Sequence, residues 1–181
     1  MEFTTVSRLD MSELREILAE VLTLPKNRVV SDRQLIGHTQ LDFFVVVEKL
    51  FSKKIGITNK TYDEKELKEI LTTTLNSTVQ ISAFGKNANL LIEKLRTIMR
   101  SSFFQAKLNR MKVGLINVSD VRNISSDFGA SYEERSSIDL ILSHENVVIV
   151  DIEVMSGAKV TTETKSTTNE QVILNPKYKG K

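Results

Sequence analysis

Three segments of the sequence predict an α+β fold, in which helices and strands share one domain. Residues 78–84 alternate between two faces, which is typical of a strand with one buried side. Residues 91–99 repeat apolar side chains at helical spacing. Residues 131–154 hold two strand-like runs on either side of Glu145 and Asn146, which predicts a β-hairpin.

The composition is that of one folded domain with an aliphatic core. Of 181 residues, 40% are hydrophobic but only 6% are aromatic, and none is cysteine. Disulfide scaffolds, zinc–thiolate sites and thiol catalysis are therefore excluded. The longest apolar run, Phe43 to Val47, is far shorter than the roughly 20 residues that span a bilayer. We expect no membrane anchor, and the acidic residues near the N-terminus predict no secretory signal.

The charges are balanced and mixed along the chain. Lysine and arginine total 25, aspartate and glutamate total 23, and the formal net charge is +2. A protein that binds nucleic acid mainly through its phosphates needs a dense basic face. The charge balance therefore excludes a strongly electrostatic nucleic-acid binder, and we expect no sequence-specific nucleic acid as a partner.

The first half of the chain predicts a helix followed by a long strand. Ser12 is a candidate N-cap for a helix over residues 13–22, and Pro25 follows its C-terminal end. A polar loop is expected over residues 28–38. Residues 41–51 are β-branched and aromatic, and too apolar for a surface helix, so they predict a long strand covered on both faces.

Two segments before the alternating strand have mixed signals. Residues 56–63 contain Gly, Thr, Asn and Tyr, which suits a turn or a loop tip. Residues 66–75 place four apolar side chains at helical spacing, but their threonines favour an extended chain. Helix and strand both remain open for residues 66–75 on this evidence.

After the helix that residues 91–99 predict, the second half of the chain predicts a short helical piece over residues 103–108. Two short strands follow over residues 111–116 and 119–124, before the predicted hairpin. We expect helix and sheet to share one core, and Leu95→Ala to destabilise it. The side chains expected there are Leu91, Leu95 and Ile98 from the helix, and Val79, Ile81, Ile138, Leu140, Val148 and Val150 from the strands.

The last segment differs from the rest in composition. Residues 157–181 are rich in threonine and serine, with few apolar side chains. Such a segment buries too little apolar surface to fold alone. We therefore expect a domain over residues 1–156 and an extended C-terminal arm over residues 157–181.

A search for catalytic, cofactor or metal residues gives none. His38 and His144 each lack a second obvious ligand nearby, and the glycines are scattered singly, so no phosphate-binding loop is present. No serine lies in a G-x-S-x-G elbow. We predict a protein that is not an enzyme and that carries no cofactor.

Three acids near the C-terminal end of the chain offer an enzymatic alternative. Asp139, followed by Asp151 and Glu153 on the returning strand of the predicted hairpin, is similar to the Mg²⁺-binding acids of restriction-endonuclease-like nucleases. That chemistry also needs a lysine two positions after the second acid, whereas Glu153 and Met155 occupy the corresponding positions and Lys159 lies farther along. Alternating acids also occur on any half-solvated strand. The nuclease is therefore the weaker reading.

The order of the segments carries a resemblance to a known family. The run TVQISAFGKNANLLIEKLRTIMRS, with Phe84, Gly85, Asn87 and Ala88 at the motif positions, resembles the strand, Tyr/Phe-Gly-x-x-Ala and long-helix unit of tailed-phage neck and tail terminator proteins. KVGLINVSDVRNIS is similar to the strand pair that follows in that family, and LDFFVVVEKLFSKKIG to its first long strand, which favours a strand over residues 66–84. SYEERSSIDLILSHENVVIVDIEV resembles its closing hairpin; the pattern matches at Glu134, Arg135, Ser136 and Asp139, with Ile138 where an aromatic is more usual.

The resemblance implies a structural protein of the virion. Its members are α+β domains in which helices pack on one face of a mostly antiparallel twisted sheet. They form hexameric rings that cap the tail tube, stop its growth and present a surface to the head connector. We therefore expect a homo-oligomer, a hexamer, at the neck of the virion, assembled in the host cytoplasm, with the tail tube protein and the head connector or neck proteins as partners and genome DNA passing through the ring. Another neck or completion protein of similar build is the alternative within this class.

Two segments are the predicted interaction sites. Tyr132, Glu133, Glu134 and Arg135 combine opposite charges with an aromatic side chain, a mixture that interfaces favour, and a solvated approach to the hairpin is the alternative. In the arm, an apolar run could add to a sheet edge of a neighbour, and basic residues behind it could steer docking. These arm residues are Val172, Ile173, Leu174, Lys177, Tyr178, Lys179 and Lys181.

Overall fold

The structure is a computed structural model, and it describes residues 3–31, 43–63, 65–128, 131–151, 157–164 and 167–174. Helices and strands alternate irregularly along the chain. The helices are α1 (Met11–Leu22), α2 (Ala88–Ile98) and α3 (Ser102–Arg110), with a short 3-10 turn over Lys26–Arg28. The strands are β1 (Phe3–Ser7), β2 (Val29–Val30), β3 (Phe43–Asp63), β4 (Lys68–Gly85), β5 (Gly114–Val118), β6 (Arg122–Asn123), β7 (Ser126–Phe128), β8 (Ser131–Glu133), β9 (Arg135–Asp151), β10 (Gly157–Thr164) and β11 (Thr167–Leu174).

Seven of these strands form one sheet, which confirms the predicted α+β class. Its order is β1-β9-β4-β3-β2, and β5 and β6 also pair with β9. Every pairing is antiparallel except that of the two-residue β2 with β3. The strands β7 and β8 form a small separate sheet, as do β10 and β11.

Strands β3 and β4 form a long hairpin that passes through the segment predicted as a turn. Residues 56–63 are part of β3, so the turn prediction there was wrong, and the chain reverses only after Asp63. Strand β3 has more residues than its partner β4, and two irregularities in the pairing register absorb the difference, one at Leu50 and one between Ile55 and Asn59. Gly56 supplies the positive φ of 66° that the second irregularity needs. Residues 68–75, for which both helix and strand were open, are extended as part of β4.

Strand β9 is continuous, so the predicted hairpin around Glu145 and Asn146 was wrong. Both residues are extended, and their backbones pair with Thr74 and Thr73 of β4. Neither residue is a glycine, and β4 supplies a partner along the whole strand, from Phe84 at one end to Lys68 at the other. An uninterrupted ladder therefore satisfies every peptide group that a turn at this point would leave unpaired.

The core lies between the three helices and one face of the sheet. Leu95, Val79, Ile81, Ile138 and Leu140 are all at most 1% exposed, as the sequence predicted. Leu91 and Ile98 pack against this core from its margin. Val148 and Val150 are only half-buried, because they lie farther along β9 than the helices reach.

The sheet extends well beyond its helix-covered part. None of residues 68–76 of β4 and 145–151 of β9 is buried, and β3 is exposed over most of residues 49–63. We call this part, together with β1, the sheet extension. The prediction that β3 is covered on both faces is therefore confirmed only for Phe44 to Val47, whose alternate side chains enter two different apolar clusters.

The first helix begins two residues earlier than the sequence indicated. Its N-cap is Asp10, not Ser12, because the Asp10 carboxylate accepts the backbone N–H of Ser12 at 2.7 Å and that of Glu13 at 3.4 Å. Thr23, in the left-handed region, ends the helix ahead of Pro25. Among the described helices, none is long and apolar enough to cross a membrane.

The predicted arm contains regular structure. Strands β10 and β11 pair antiparallel from Gly157 opposite Leu174 to Thr164 opposite Thr167. The arm is therefore extended, as expected, but its two halves pair with each other. Residues 175–181, with the predicted contacts of Lys177, Tyr178 and Lys179, lie outside the described residues.

Candidate interaction surfaces

The two sequence motifs meet where α2 begins. Phe84 of β4 lies opposite Arg135 of β9, and the Gly85 N–H donates to the Glu134 carbonyl at 2.9 Å. The Glu134 carboxylate accepts the backbone N–H groups of Asn87 at 2.8 Å and Asn89 at 2.9 Å. A negative charge at a helix N-terminus is favourable. Glu134 thus fixes α2 to the start of β9.

Farther along β9, Asp139 forms a bidentate pair with an arginine of β6. Its carboxylate oxygens lie 2.7 and 2.8 Å from the Arg122 guanidinium nitrogens. This hydrogen bonding raises the pKa of Arg122 above its ordinary value. Ser136, which is fully buried, lies 3.1 Å from the Arg122 carbonyl oxygen and 3.2 Å from Asn89 Oδ1. The motif residues Glu134, Ser136 and Asp139 therefore all serve contacts within the chain.

The acids of the nuclease alternative are far apart in this sheet. Asp139 and Asp151 lie 12 positions apart on the one continuous strand β9, which separates them by roughly 40 Å at about 3.3 Å per residue. The alternative required a hairpin to bring them together. Within the described residues, no group of three or more His, Asp or Glu side chains could hold a metal ion. Glu153 lies outside the described residues.

A chain of polar side chains, of which Ser77 and His144 are buried, crosses the sheet where the helices end. Ser52 Oγ lies 2.8 Å from Ser77 Oγ, which lies 2.7 Å from His144 Nε2. His144 is 2% exposed, and burial lowers its pKa below the ordinary value. A serine–histidine pair can catalyse acyl transfer, but Ser77 is 0% exposed and no substrate could reach it. The chain therefore serves to satisfy polar groups that join β3, β4 and β9.

The outer edge of β3 is the longest stretch of unpaired backbone in the described strands. Among those strands, β2 pairs with β3 only at Val45 and Val46, so the edge is open from residue 47 to residue 63. Large apolar side chains are exposed along it: Phe51 by 61%, Ile57 by 90% and Tyr62 by 61%. Such an edge is a template for pairing with another chain, and native proteins cover or blunt it. At the opposite side of the sheet extension, β1 pairs only with β9 among the described strands.

Most of the chain matches a known family of proteins. Residues 11–166 match the model of a family described as phage neck terminator protein. The chain belongs to the phage neck terminator family. It is therefore a structural protein of the phage virion, located at the neck, where it contacts other tail and head proteins. No curated protein matches the chain.

The predicted site residues of the terminator fall into three groups. Tyr132 and Glu133 are in β8, paired with Asp127 and Ser126 of β7. Glu134 and Arg135 lie at the motif junction. In the arm, Val172, Ile173 and Leu174 pair with Lys159, Ala158 and Gly157 of the same hairpin.

The open edge of the terminator was not identified from the sequence. Its distal part coincides with the segment predicted as a turn, because Gly56, Asn59 and the threonines favour turns. The signal that could have found it is the recurrence of Phe51, Ile55 and Ile57 in a segment that is otherwise polar. In the structure, the side chains of all three are exposed along this edge.

Proposed function

We propose that this protein forms a hexameric ring that caps the tail tube and joins the tail to the head connector. The observation that carries the proposal is the family match over residues 11–166. It is supported by a sheet whose two outer edges, β3 and β1, are both open among the described strands. The ring is assembled in the host cytoplasm, and genome DNA passes through it.

The ring closes through a head-to-tail contact between these two edges. A heterologous contact forms a closed ring when its rotation divides the full circle. The β3 edge of one copy takes up the β1 edge of the next, and main-chain hydrogen bonds extend the sheet from subunit to subunit. The exposed side chains of Phe51 and Ile57 are then covered by the neighbour.

The other predicted sites are proposed contacts with the partners. The segment from Tyr132 to Arg135 lies at a subunit or tube-facing surface, and the arm from Gly157 docks on a neighbouring subunit or on the connector. The protein acts through these contacts and carries no catalytic activity. This is supported by the separation of Asp139 from Asp151 and by the pairing of Asp139 with Arg122.

The ring is tested on the purified protein by native mass spectrometry and negative-stain imaging. A hexamer with a central opening is expected, and a monomer or a dimer at micromolar concentration contradicts the ring. Ile57→Lys places a charge on the β3 edge and is expected to prevent ring formation. Leu90→Lys is the matched control, because Leu90 is 69% exposed on α2, away from both edges. Equal loss of rings in both variants contradicts closure through β3.

A phage lacking this protein tests the role in the virion. Without the cap, tail tubes are expected to vary in length and to fail to join filled heads. Supplying the wild-type protein restores tails of one length, and Ile57→Lys does not. Tails of normal length that join heads in the absence of the protein contradict the proposed function.

A further inference from the structure

Three charged motif residues lie at or just before the start of β9, and the described residues give only two of them an ionic or hydrogen-bonding partner for the side chain. Glu134 is bound to the N-terminus of α2, and Asp139 is bound to Arg122. Arg135 lies between them in sequence. Its guanidinium forms no hydrogen bond and no ion pair with any described residue, and its Nε is buried without a partner there.

The Arg135 side chain is nevertheless held in a defined position. The rings of Phe44 and Phe84 are stacked, with centroids 4.8 Å apart and planes 4° from parallel. The Arg135 guanidinium carbon lies 4.4 Å from the Phe84 centroid, so the cation caps this stack. An arginine on an aromatic face is stabilised by cation–π attraction and keeps its donors free at the edge of the plane.

The backbone of Arg135 is fixed as well. Its N–H donates to Ser125 Oγ at 3.0 Å, and its carbonyl accepts the Ile124 N–H at 2.9 Å. The side chain therefore starts from a rigid strand and ends on a rigid ring pair. A guanidinium held in this way loses little conformational entropy when it binds a planar anion.

We propose that Arg135 is the binding site for a carboxylate of the neighbouring subunit. The proposal rests on the proposed ring, because the ring supplies the neighbour. A half-buried guanidinium without an anion is costly, and a bidentate carboxylate is the partner that matches its fork of donors. The stack on Phe84 sets the plane in which that carboxylate binds.

A carboxylate is favoured over a nucleic-acid phosphate by the charges nearby. The described residues around the guanidinium include Glu133, Glu134 and Asp139 against Arg122 and Lys86. Charges of both signs are mixed here, whereas binding to a DNA backbone needs a dense positive surface. A single side-chain carboxylate needs only one guanidinium.

Assembly measurements on the wild type and three variants test the site. The subunit concentration at half-assembly is measured by light scattering at low and at 0.5 M NaCl for wild type, Arg135→Gln and Arg135→Lys. Arg135→Gln is expected to raise it at least about tenfold at low salt, and the difference from wild type is expected to shrink at high salt. Arg100→Gln is the matched control, because Arg100 is an exposed arginine at the end of α2. It is expected to assemble as wild type does.

Cross-linking identifies the acceptor directly. Arg135→Lys places an amine near the position of the guanidinium, and a carbodiimide joins an amine to a carboxylate in contact with it. Mixed ¹⁵N-labelled and unlabelled copies of this variant are expected to give a cross-linked peptide between position 135 of one copy and an Asp or Glu of another. The Arg100→Lys variant is expected to give no such peptide.

The outcomes separate this proposal from the proposed function. If wild type forms hexamers and Arg135→Gln forms them at the same concentration, the site is wrong and the ring stands. If Arg135→Gln assembles normally but loses affinity for double-stranded DNA relative to wild type, the ligand is a phosphate and the proposal is overturned. If the wild type forms no ring, the proposed function is wrong, and the Arg135 site that rests on it is wrong as well. Urea unfolding of the unassembled variants shows whether a loss of rings reflects loss of the fold, and the cross-link decides in that case.

Discussion

The carboxylate of Glu134, just before β9, lies 2.8 Å from the backbone nitrogen of Asn87, the N-cap residue of α2. Asn87 is in the left-handed region with a φ of 64°, and its own side chain makes no capping hydrogen bond. The cap is therefore supplied from a residue 47 positions away in sequence. This contact couples the pairing of β4 with β9 to the helix that covers it.

Removing this cap is expected to weaken the fold. We expect Glu134→Ala to lower the free energy of unfolding by about 0.5–2 kcal/mol, the usual range for a lost helix cap. Urea denaturation of the unassembled protein, followed by circular dichroism, measures the change. Glu93→Ala, on an exposed position of α2, serves as the control and is expected to change it by less than about 0.5 kcal/mol. Equal effects of both substitutions would show that the Glu134 contacts add no stability.

The interior face of α2 gives a second test on the same helix. Leu95 is 0% exposed, whereas Leu90 is 69% exposed. Leu95→Ala is expected to cost about 2–5 kcal/mol through lost burial and a cavity. Leu90→Ala removes the same atoms from the surface, so little change is expected. A loss near zero for Leu95→Ala in chemical denaturation contradicts the packing of α2 on the sheet.

The sequence predicted the covered half of this fold and not its open half. The alternation of Val79, Ile81 and Ala83 identified β4, because one face of that strand is buried under helices. In the sheet extension neither face is buried, so threonines and scattered apolar residues carry no periodic signal. Residues 56–63 therefore resembled a turn, and Glu145 and Asn146 resembled a hairpin tip, although the ladder with β4 holds them extended.

The candidate sites were predictable only as segments. Glu134 and Arg135 were identified as an acid and a base beside an aromatic residue, but their separate roles depend on contacts with Asn87 and Phe84, about 50 positions away. A pattern of residue types cannot show which of two adjacent charged side chains binds a partner within the same chain. That depends on the pairing of β4 with β9, which brings Glu134 and Arg135 next to the start of α2 and to Phe84.

The buried histidine makes stability depend on pH. His144 has a pKa lowered below its ordinary 6.5, chiefly by burial and also by nearby Lys49, while the Glu145 carbonyl opposes the shift. The unfolded chain therefore binds a proton near pH 6.5 more readily than the folded chain does. Stability is expected to fall as pH drops below about 6.5 and to be independent of this group above about pH 7.5.

The comparison with His144→Gln isolates this effect. Glutamine keeps a hydrogen-bonding group near Ser77 but does not titrate. The free energy of unfolding, measured in urea between about pH 5 and pH 8, is expected to depend on pH less steeply in the variant than in wild type. Contributions from other titrating groups appear in both proteins and cancel in the difference. Parallel pH profiles would place the His144 imidazole in the same environment folded and unfolded.

The acids of β9 are expected to be catalytically silent. Purified protein incubated with DNA and Mg²⁺ or Mn²⁺ is expected to leave the DNA uncut, because Asp139 is bound to Arg122 and lies roughly 40 Å along the strand from Asp151. Asp151→Ala is expected to leave folding and assembly unchanged, since Asp151 is exposed at the end of β9. Asp139→Ala is expected to act only through stability. Metal-dependent cleavage that disappears in either variant contradicts the structural role.

The arm is the last element that can be tested apart from the rest. Strands β10 and β11 form a two-stranded sheet of their own, and such a hairpin is marginally stable in water without further contacts. Neither strand pairs with the seven-stranded sheet, so a chain that ends at Gly157 is expected to keep the main fold and its urea midpoint.

We expect the same truncation to weaken the ring or its docking to the connector, because the truncated protein lacks the arm that would contact a neighbour. The measurements are native mass of the truncated protein and its ability to restore head joining in a phage that lacks the gene product. Replacing Val172, Ile173 and Leu174 by serine within the full arm is the matched control for chain length, and it is expected to act like the truncation. A truncated protein that caps tails and joins heads as well as the intact one would make the arm dispensable.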